Sequence, residues 1–343
     1  QFPAPFLFIK PHAPGGLRAT NLSYHMARKL LTIITLAAAL CAGAQTSQIA
    51  TLLHDGQLTN FYSGSALIQA YEAAVDGDII TLSSGMFNGT HIEKYITIRG
   101  AGMGLAEAGD TTLPTRISGD FNIECPESDT RHVTLEGIQH LTNTLTIVAA
   151  NVIIEKCQIE NLQYFSRSKD KRNDITFIQS RIKDFQFRQG IGTVTAMNCI
   201  LNGIYNSDNY LTINYFNCLI GAGSYMSFSN CTLSNCIVTE HQSIYHSCSV
   251  NNCILINCSY SYSNGSNKFV ESAEAVFAEE GYYRLTDEAK TFLGTDGKEV
   301  GIYGGTLPFD TTPTNPQITK FNVSPKTTAD GKLSVDIEVH GVE

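Results

Sequence analysis

The chain has 343 residues, of which 43% are hydrophobic and 16% charged, with 28 glycines, ten cysteines and no tryptophan. That length suits one large or two ordinary domains, and the low charge with regular patterning excludes a disordered chain. A formal net charge of −9 argues against a nucleic-acid partner, because phosphate binding asks for a basic surface.

Residues 1–25 precede Met26 and are read as translated upstream sequence or a cloning remnant rather than a domain. From Met26, Arg28 and Lys29 form a short positive region, Leu30 to Leu40 an apolar run, and Ala42-Gly43-Ala44 a small-residue cleavage pattern. That order predicts a signal peptide over 26–44, cleaved near Ala44. The run is too short for a membrane span. Cys41 follows Leu40, where a lipoprotein signal wants a small residue. Losing Lys10, Arg18, Arg28 and Lys29, and no acid, would move the net charge from −9 to −13. The expectation is an acidic, secreted, periplasmic or cell-surface protein.

Ser65 is placed to cap a helix over 65–76, with Leu67, Ile68, Tyr71, Ala74 and Val75 on one face and Gly77 at its end. After it, one phrase recurs: a β-rich run, a turn residue, a cysteine or small residue, then an apolar residue two positions on. It is weak in Ile96-Thr97-Ile98-Arg99-Gly100, Arg116-Ile117-Ser118-Gly119 and Val133-Thr134-Leu135-Glu136-Gly137. It is strong in Val152-Ile153-Ile154-Glu155-Lys156-Cys157, Ile175-Thr176-Phe177-Ile178-Gln179-Ser180 and Val194-Thr195-Ala196-Met197-Asn198-Cys199. Further copies end in Asn217-Cys218, Asn235-Cys236 and Asn252-Cys253. From Cys157 the marks fall at 180, 199, 218, 236 and 253, at intervals of 23, 19, 19, 18 and 17.

A period near 20 without helical periodicity predicts an all-β fold: a right-handed single-stranded parallel β-helix, in which equivalent residues stack at about 4.8 Å. The cysteines at 157, 199, 218, 236 and 253 then form an inward column. The asparagines before them occupy a left-handed corner, where each amide could bond to the copy above. Asn230-Cys231 leaves the register between 218 and 253 open. Cys231, Cys248 and Cys258 lie off the column, and a disulfide among them stays open. The predicted organisation is a β-helix over 45–310, capped by the 65–76 helix, then a linker and short C-terminal β tail over 311–343. Pro313, Pro316 and Pro325 punctuate the linker; Leu333, Val335, Ile337 and Val339 alternate as a half-buried strand.

The stretch from Ala66 to Gly102, with Asp76-Gly77-Asp78-Ile79-Ile80, Gly85-Met86-Phe87-Asn88-Gly89 and Ile96-Thr97-Ile98-Arg99-Gly100-Ala101-Gly102, resembles the opening of the pectate-lyase-like right-handed parallel β-helix superfamily. Tyr283-Arg284-Leu285, Gly294-Thr295-Asp296-Gly297 and Gly301-Ile302-Tyr303-Gly304-Gly305 resemble the closing segment of secreted β-helix proteins of Bacteroidetes. The resemblance covers about residues 60–310 and implies the fold. It implies no single activity, since the superfamily holds lyases, hydrolases, esterases, adhesins and inert stalks.

For chemistry the sequence offers little. From Gln189 to Tyr262 the only charged residues are Asp208 and Glu240, so those coils hold none of the Lys or Arg bases that the resemblance implies for lyases. There is no Asp-Asp pair, nucleophile elbow, phosphate loop or metal-binding Cys/His spacing. No metal or cofactor is implied, and a Ca²⁺ at Asp296 and Glu299 stays open.

Two surfaces stand out. The 23-residue coil carries Arg167, Lys169, Lys171 and Arg172, followed by Lys183 and Arg188: a basic lip for an acidic glycan, or a solvated loop. Tyr164, Phe185, Tyr205, Tyr225 and Tyr245 recur about once per coil, and Tyr205, Tyr225 and Tyr245 could form an outward platform for sugar rings, or stack in the core. The leading expectation is a non-catalytic glycan-binding, adhesive or structural surface module. The alternative is a polysaccharide lyase or glycoside hydrolase drawing on Asp170, Asp174, Arg181, Lys183, Asp184 and Arg188.

Overall fold

The computed structural model describes residues 48–340 except for short stretches, the longest being 105–112, 166–171, 222–226 and 259–265. The expected upstream segment 1–25 and signal peptide 26–44 lie outside the described residues.

The chain folds as an all-β parallel solenoid. One sheet of 11 strands begins with an antiparallel hairpin, β1 (Ile49–His54) and β2 (Gln57–Tyr62), and continues through β3 (Ile79–Leu82). From β3 onward every coil adds a parallel strand, by way of Val152–Glu155 and Ile191–Met197, to Ser249–Asn251. A second sheet of 13 strands carries the other sides of the coils, as far as Lys268–Val270. Alternate residues point inward, so one core runs unbroken from Ala50 to Leu255.

The opening end is closed by two devices. Helix α1 covers Ala66–Ala73, shorter than the expected 65–76, and buries Ala66, Leu67, Ala70 and Tyr71. Val75, expected on the same face, is exposed because the helix ends at Ala74, whose φ/ψ is extended. The β1–β2 hairpin pairs antiparallel with β3 and so occupies the edge that would otherwise recruit foreign strands. Its signal was present in Asp55-Gly56, a dipeptide suited to a two-residue turn, with φ of 45° and 75°. His54 Nδ1 lies 2.9 Å from Asp78 Oδ1 and ties the hairpin to β3.

From Gly137 onward the passage from the first sheet to the second runs through one left-handed residue. Gly137, Lys156, Gln179, Asn198, Asn217, Asn235 and Asn252 have φ between 47° and 62°. Asparagine and glycine suit that conformation; Lys156 and Gln179 adopt it at a cost of roughly 1–2 kcal/mol. The corner amides keep the coil-to-coil ladder going, as in Lys156 N→Ile178 O at 3.0 Å and Asn198 N→Phe216 O at 3.0 Å.

The residue after the corner is the expected inward column: Cys157, Ser180, Cys199, Cys218, Cys236 and Cys253, all buried. Packing is only half of its role. Each sulfur or hydroxyl also bonds the backbone that the turn leaves unpaired. The Cys157 amide donates to Ser180 Oγ at 3.1 Å, Cys218 N to Cys236 Sγ at 3.4 Å, and Cys236 N to Cys253 Sγ at 3.4 Å. The thiols donate in turn to carbonyls, Cys218 Sγ to Ala196 O and to Phe216 O, both at 3.3 Å. Serine fits at 180 because it offers the same small donor and acceptor.

The corner asparagines do not stack amide on amide as expected. They hold a strap, residues 293–315, that runs back along the solenoid. Asn252 Nδ2 reaches Leu293 O (3.3 Å), Asn235 Nδ2 Thr295 Oγ1 (3.1 Å), and Asn198 Nδ2 both Ile302 O (2.9 Å) and Gly304 O (2.8 Å). Gln179 Nε2 bonds Pro308 O, Lys156 Nζ bonds Asp310 Oδ2 at 2.9 Å, and Asn315 Nδ2 bonds Gly100 O at 2.6 Å. Lys156 and Gln179, the two corner residues least suited to this φ, thus each hold the strap through the side chain. Gly304 has to be glycine here, since a Cβ would overlap the Glu299 carbonyl.

Residues 273–302 also build a second apolar core outside the coils. Val276, Leu285, Ala289, Val300 and Ile302 cover Ile200, Leu219, Ile237 and Ile254, which point out of the second sheet. The described tail forms an antiparallel hairpin, Gln317–Val323 with Val335–His340. Val335, Ile337 and Val339 alternate as expected, but at 47%, 51% and 54% exposure they are not half-buried.

Two variants test these corners. Cys236→Ser should fold as the parent does, whereas Cys236→Ala leaves the buried Cys218 amide without its acceptor and should cost about 1–3 kcal/mol in urea unfolding. Asn198→Gly keeps the corner conformation but drops both strap bonds, so limited proteolysis of 303–310 should quicken while coil circular dichroism stays unchanged.

Candidate functional site

The outward residues of the second sheet form columns along the solenoid axis, and one of them changes character midway. In register it reads Met86, Arg116, Gln139, Gln158, Arg181, then Ile200, Leu219, Ile237 and Ile254. The apolar half is the part covered by residues 273–302. The polar half is bonded coil to coil: Arg116 Nε donates to Gln139 Oε1 at 2.8 Å, and Gln139 Nε2 to Gln158 Oε1 at 2.9 Å. Gln139 is buried and also donates to Met103 O at 3.2 Å, which fixes the orientation of the row. Arg181 continues it at the next coil, and its guanidinium makes no hydrogen bond among the described residues.

Two more polar columns flank this one. Glu160, Lys183 and Asn202 succeed one another two residues further along the strands. Lys183 Nζ lies 2.7 Å from Glu160 Oε2, and that hydrogen bond holds the lysine's pKa above its ordinary value. Beyond them, His91, Asn122, Thr146, Gln163 and Gln186 align on the outer side of the sheet. The whole face offers amides, hydroxyls and a guanidinium at strand spacing, about 4.8 Å from one coil to the next.

On the other side of the corner lies an ionic column that inspection of the sequence missed. Arg99, Glu136 and Glu155 are in register on consecutive strands of the first sheet. Arg99 Nε donates to the buried Glu136 carboxylate at 2.8 Å. Burial, and then the Glu136 charge one coil away, push the Glu155 carboxyl above its ordinary value, against the pull of Lys156 and Arg99. Burial also raises the Asp310 carboxyl, but the Lys156 ammonium and Thr312 outweigh it, and the net displacement is downward. The signal for this column was the charged residue that ends the runs at Arg99, Glu136 and Glu155; Arg116–Gly119, read as the copy between the first two, belongs to the second sheet, so Arg99 lies directly under Glu136.

Of the expected lip, Arg167, Lys169 and Lys171 lie outside the described residues, as do Asp170, Tyr225 and Tyr245. Arg172 opens the strand Arg172–Ile178, and Arg188 falls near the end of Arg181–Gln189. Lys183 is held by Glu160, so it does not act as an unengaged cation. Asp174 accepts from Thr193 N at 2.8 Å and serves the coil-to-coil ladder. The once-per-coil aromatics do not share a column. Tyr164 and Phe185 are both buried, yet Tyr164 pairs with Phe187 and Phe185 with Leu162. The backbone of Tyr205 pairs with Gln186 instead. A spacing of 21 rather than 23 between Tyr164 and Phe185 is a two-residue slip in this coil.

His140 is a further surprise. It points into the core between Ile117 and Ile159, with its ring 6.0 Å from that of Phe121. Neither ring nitrogen makes a well-formed hydrogen bond among the described residues, and burial lowers its pKa against the opposing pull of the Gly119 backbone.

Among the described residues no group of three or more His, Cys, Asp or Glu side chains could hold a metal ion. Asp296 Oδ1 instead accepts from Lys298 N at 3.1 Å within its own turn. No described helix is long and apolar enough to cross a membrane. No protein-family model matches the chain, and no curated protein matches it.

The ionic column predicts a pH effect. A carboxyl whose folded pKa is raised binds its proton more tightly when folded, so its ionisation opposes folding as pH climbs through that value. Glu155→Gln should therefore be more stable than the parent at neutral pH, and the gain should vanish in acid well below the ordinary 4.5; urea midpoints across pH measure it.

Proposed function

We propose that the chain is an exported β-helix of the pectate-lyase-like kind that binds an extended polysaccharide on the polar half of its second sheet without cleaving it. The observation that carries this reading is the oriented row Arg116–Gln139–Gln158, continued by Arg181. An extended glycan repeats its hydroxyls at intervals close to one coil, so successive residues could meet equivalent donors on successive coils. Side chains pre-oriented by their neighbours lose little freedom on binding, which favours affinity. The strap and the second apolar core bear on the same side, since they cover the apolar half of the face, while in the polar half Arg116 is exposed and Gln158 and Arg181 are partly exposed. Export rests on the Arg28-Lys29, Leu30–Leu40 and Ala42-Gly43-Ala44 order.

The partner is a cell-wall or surface glycan rather than nucleic acid, given the net charge of −9. An acidic glycan gains from Arg116 and Arg181. A glycoside hydrolase needs two carboxyl groups flanking an open bond, and Glu160 on this face is held by Lys183.

One observation favours the alternative, hydrolysis of a glycosidic bond. Glu136 is paired with Arg99 at 2.8 Å while the Glu155 carboxyl beside it is displaced upward, so two neighbouring carboxyl groups sit in different surroundings, as a base and an acid require. The two readings separate in one experiment. Purified protein is titrated with acidic and neutral polysaccharides, and the mixtures are assayed for new reducing ends and unsaturated sugars. The expected result is binding without turnover, with Gln158→Ala and Arg181→Ala each weakening it about tenfold, the loss of roughly 1.4 kcal/mol. Turnover abolished by Glu155→Gln would establish the enzyme instead.

A further inference from the structure

The geometry points to a covalent staple inside the solenoid: Cys231 and Cys248 form a disulfide between consecutive coils when the chain folds in the presence of a disulfide oxidant. Both residues belong to a second inward column, distinct from the corner thiols. It reads Val194, Ile213, Cys231 and then Cys248, which lies one residue before Ser249, the partner of Thr232. This register also settles the position of Asn230-Cys231: Cys231 begins a first-sheet strand, and Cys236 follows the corner.

Directly paired residues on parallel strands have Cα atoms about 4.8 Å apart, inside the 4.4–6.8 Å range that a disulfide spans. Spacing alone would admit Cys199, Cys218, Cys236 and Cys253 as well. Those sulfurs are aimed at the backbone, Cys199 Sγ toward Met197 O at 3.2 Å and Cys236 Sγ toward Ser234 O at 3.3 Å. The sulfurs of Cys231 and Cys248 instead face each other at 2.8 Å, closer than unbonded sulfur atoms pack. At 5% and 6% exposure both are sealed in the core.

The step balances as two thiol–disulfide exchanges. One cysteine, as thiolate, attacks the oxidant's disulfide and expels one thiol, leaving a mixed disulfide. The second cysteine attacks the protein sulfur of that bond and expels the second thiol. The pair loses two electrons and two protons, and the oxidant's disulfide is reduced to two thiols. The Cys248 hydrogen bond and burial hold the Cys231 thiol far above its ordinary value. Thiolate is therefore scarce once the coils have closed, and the bond forms while they are still open. The bond closes a 17-residue separation in the late coils, where the glycan reading places no contact, so it stands or falls apart from that reading.

The test uses the full chain refolded from denaturant, once with oxidised and reduced glutathione and once with dithiothreitol. Each sample is denatured, alkylated without reductant and digested for mass spectrometry. The expected result from glutathione is a linked peptide joining 231 to 248, and two fewer alkylated thiols than in the reduced sample. Oxidised glutathione added to the already folded reduced protein should give the bond far more slowly. In the Cys231→Ser variant the linked peptide should disappear and no other pair should replace it. Hydrogen exchange should slow in Cys231–Ser234 and Ser249–Asn251 on oxidation. Full alkylation of both cysteines after oxidative refolding, or linkage of either to a corner cysteine, would overturn the proposal.

Discussion

A coil that closes on itself in under 20 residues has to reverse direction within one residue, and that residue must be left-handed. Everything else in this protein follows from repeating that corner at the same place. Because the backbone turns sharply there, its amide and carbonyl groups point partly inward, where water cannot reach them. A buried backbone group without a partner costs more than an ordinary hydrogen bond contributes. The small polar side chain after the corner resolves this, accepting an amide of the preceding coil and pointing its own donor at carbonyls of that coil and of its own. The thiol column is therefore a hydrogen-bonding device as much as a packing one.

The outer side of the corner has a matching problem, and the strap resolves it. Left-handed backbone projects each corner side chain outward, where Asn198, Asn235 and Asn252 anchor a segment distant in sequence. The strap is irregular and relies on glycines such as Gly304 to approach closely. The same return path carries the apolar residues that cover Ile200, Leu219, Ile237 and Ile254. Corner, strap and covered face are thus linked: the corner fixes the strap, and the strap decides which outward residues see solvent. The outward residues that this segment covers are apolar, and those earlier in the same column are polar.

Charge follows the same division. Two charged pairs are matched along the axis, Arg99 with Glu136 and Lys183 with Glu160. Glu155 instead has another carboxylate as its neighbour in the column, and Arg181 has Gln158 and Ile200. In a solenoid a residue's nearest charges are those one coil away rather than those adjacent in the chain. The surface chemistry is therefore written at intervals of about 20 residues. The once-per-coil tyrosines illustrate the risk in reading those intervals by eye. A slip of two residues moves Phe185 into a different column from Tyr164 while both stay buried.

The repeat interval, the β-branched runs and the Asn-Cys pairs were enough to identify a stack of parallel coils, its inward thiols and its left-handed corners. These are local properties that every coil restates, so the sequence alone determined them. The cap hairpin was also legible in Asp55-Gly56, although nothing in that dipeptide says which edge it covers. What the tertiary structure decided is what crosses between distant parts of the chain. Residues 293–315 meet corners from Asn252 back to Gly100, and no periodicity connects a strap without repeats to a solenoid built of them. Register likewise decided the Arg99–Glu136–Glu155 column, the buried His140 in the core and the sulfur contact at Cys231. Each depends on which residue lies one coil above, and variation of coil length from 17 residues at Thr232–Ser249 to 37 at Arg99–Glu136 hides that until the backbone is closed.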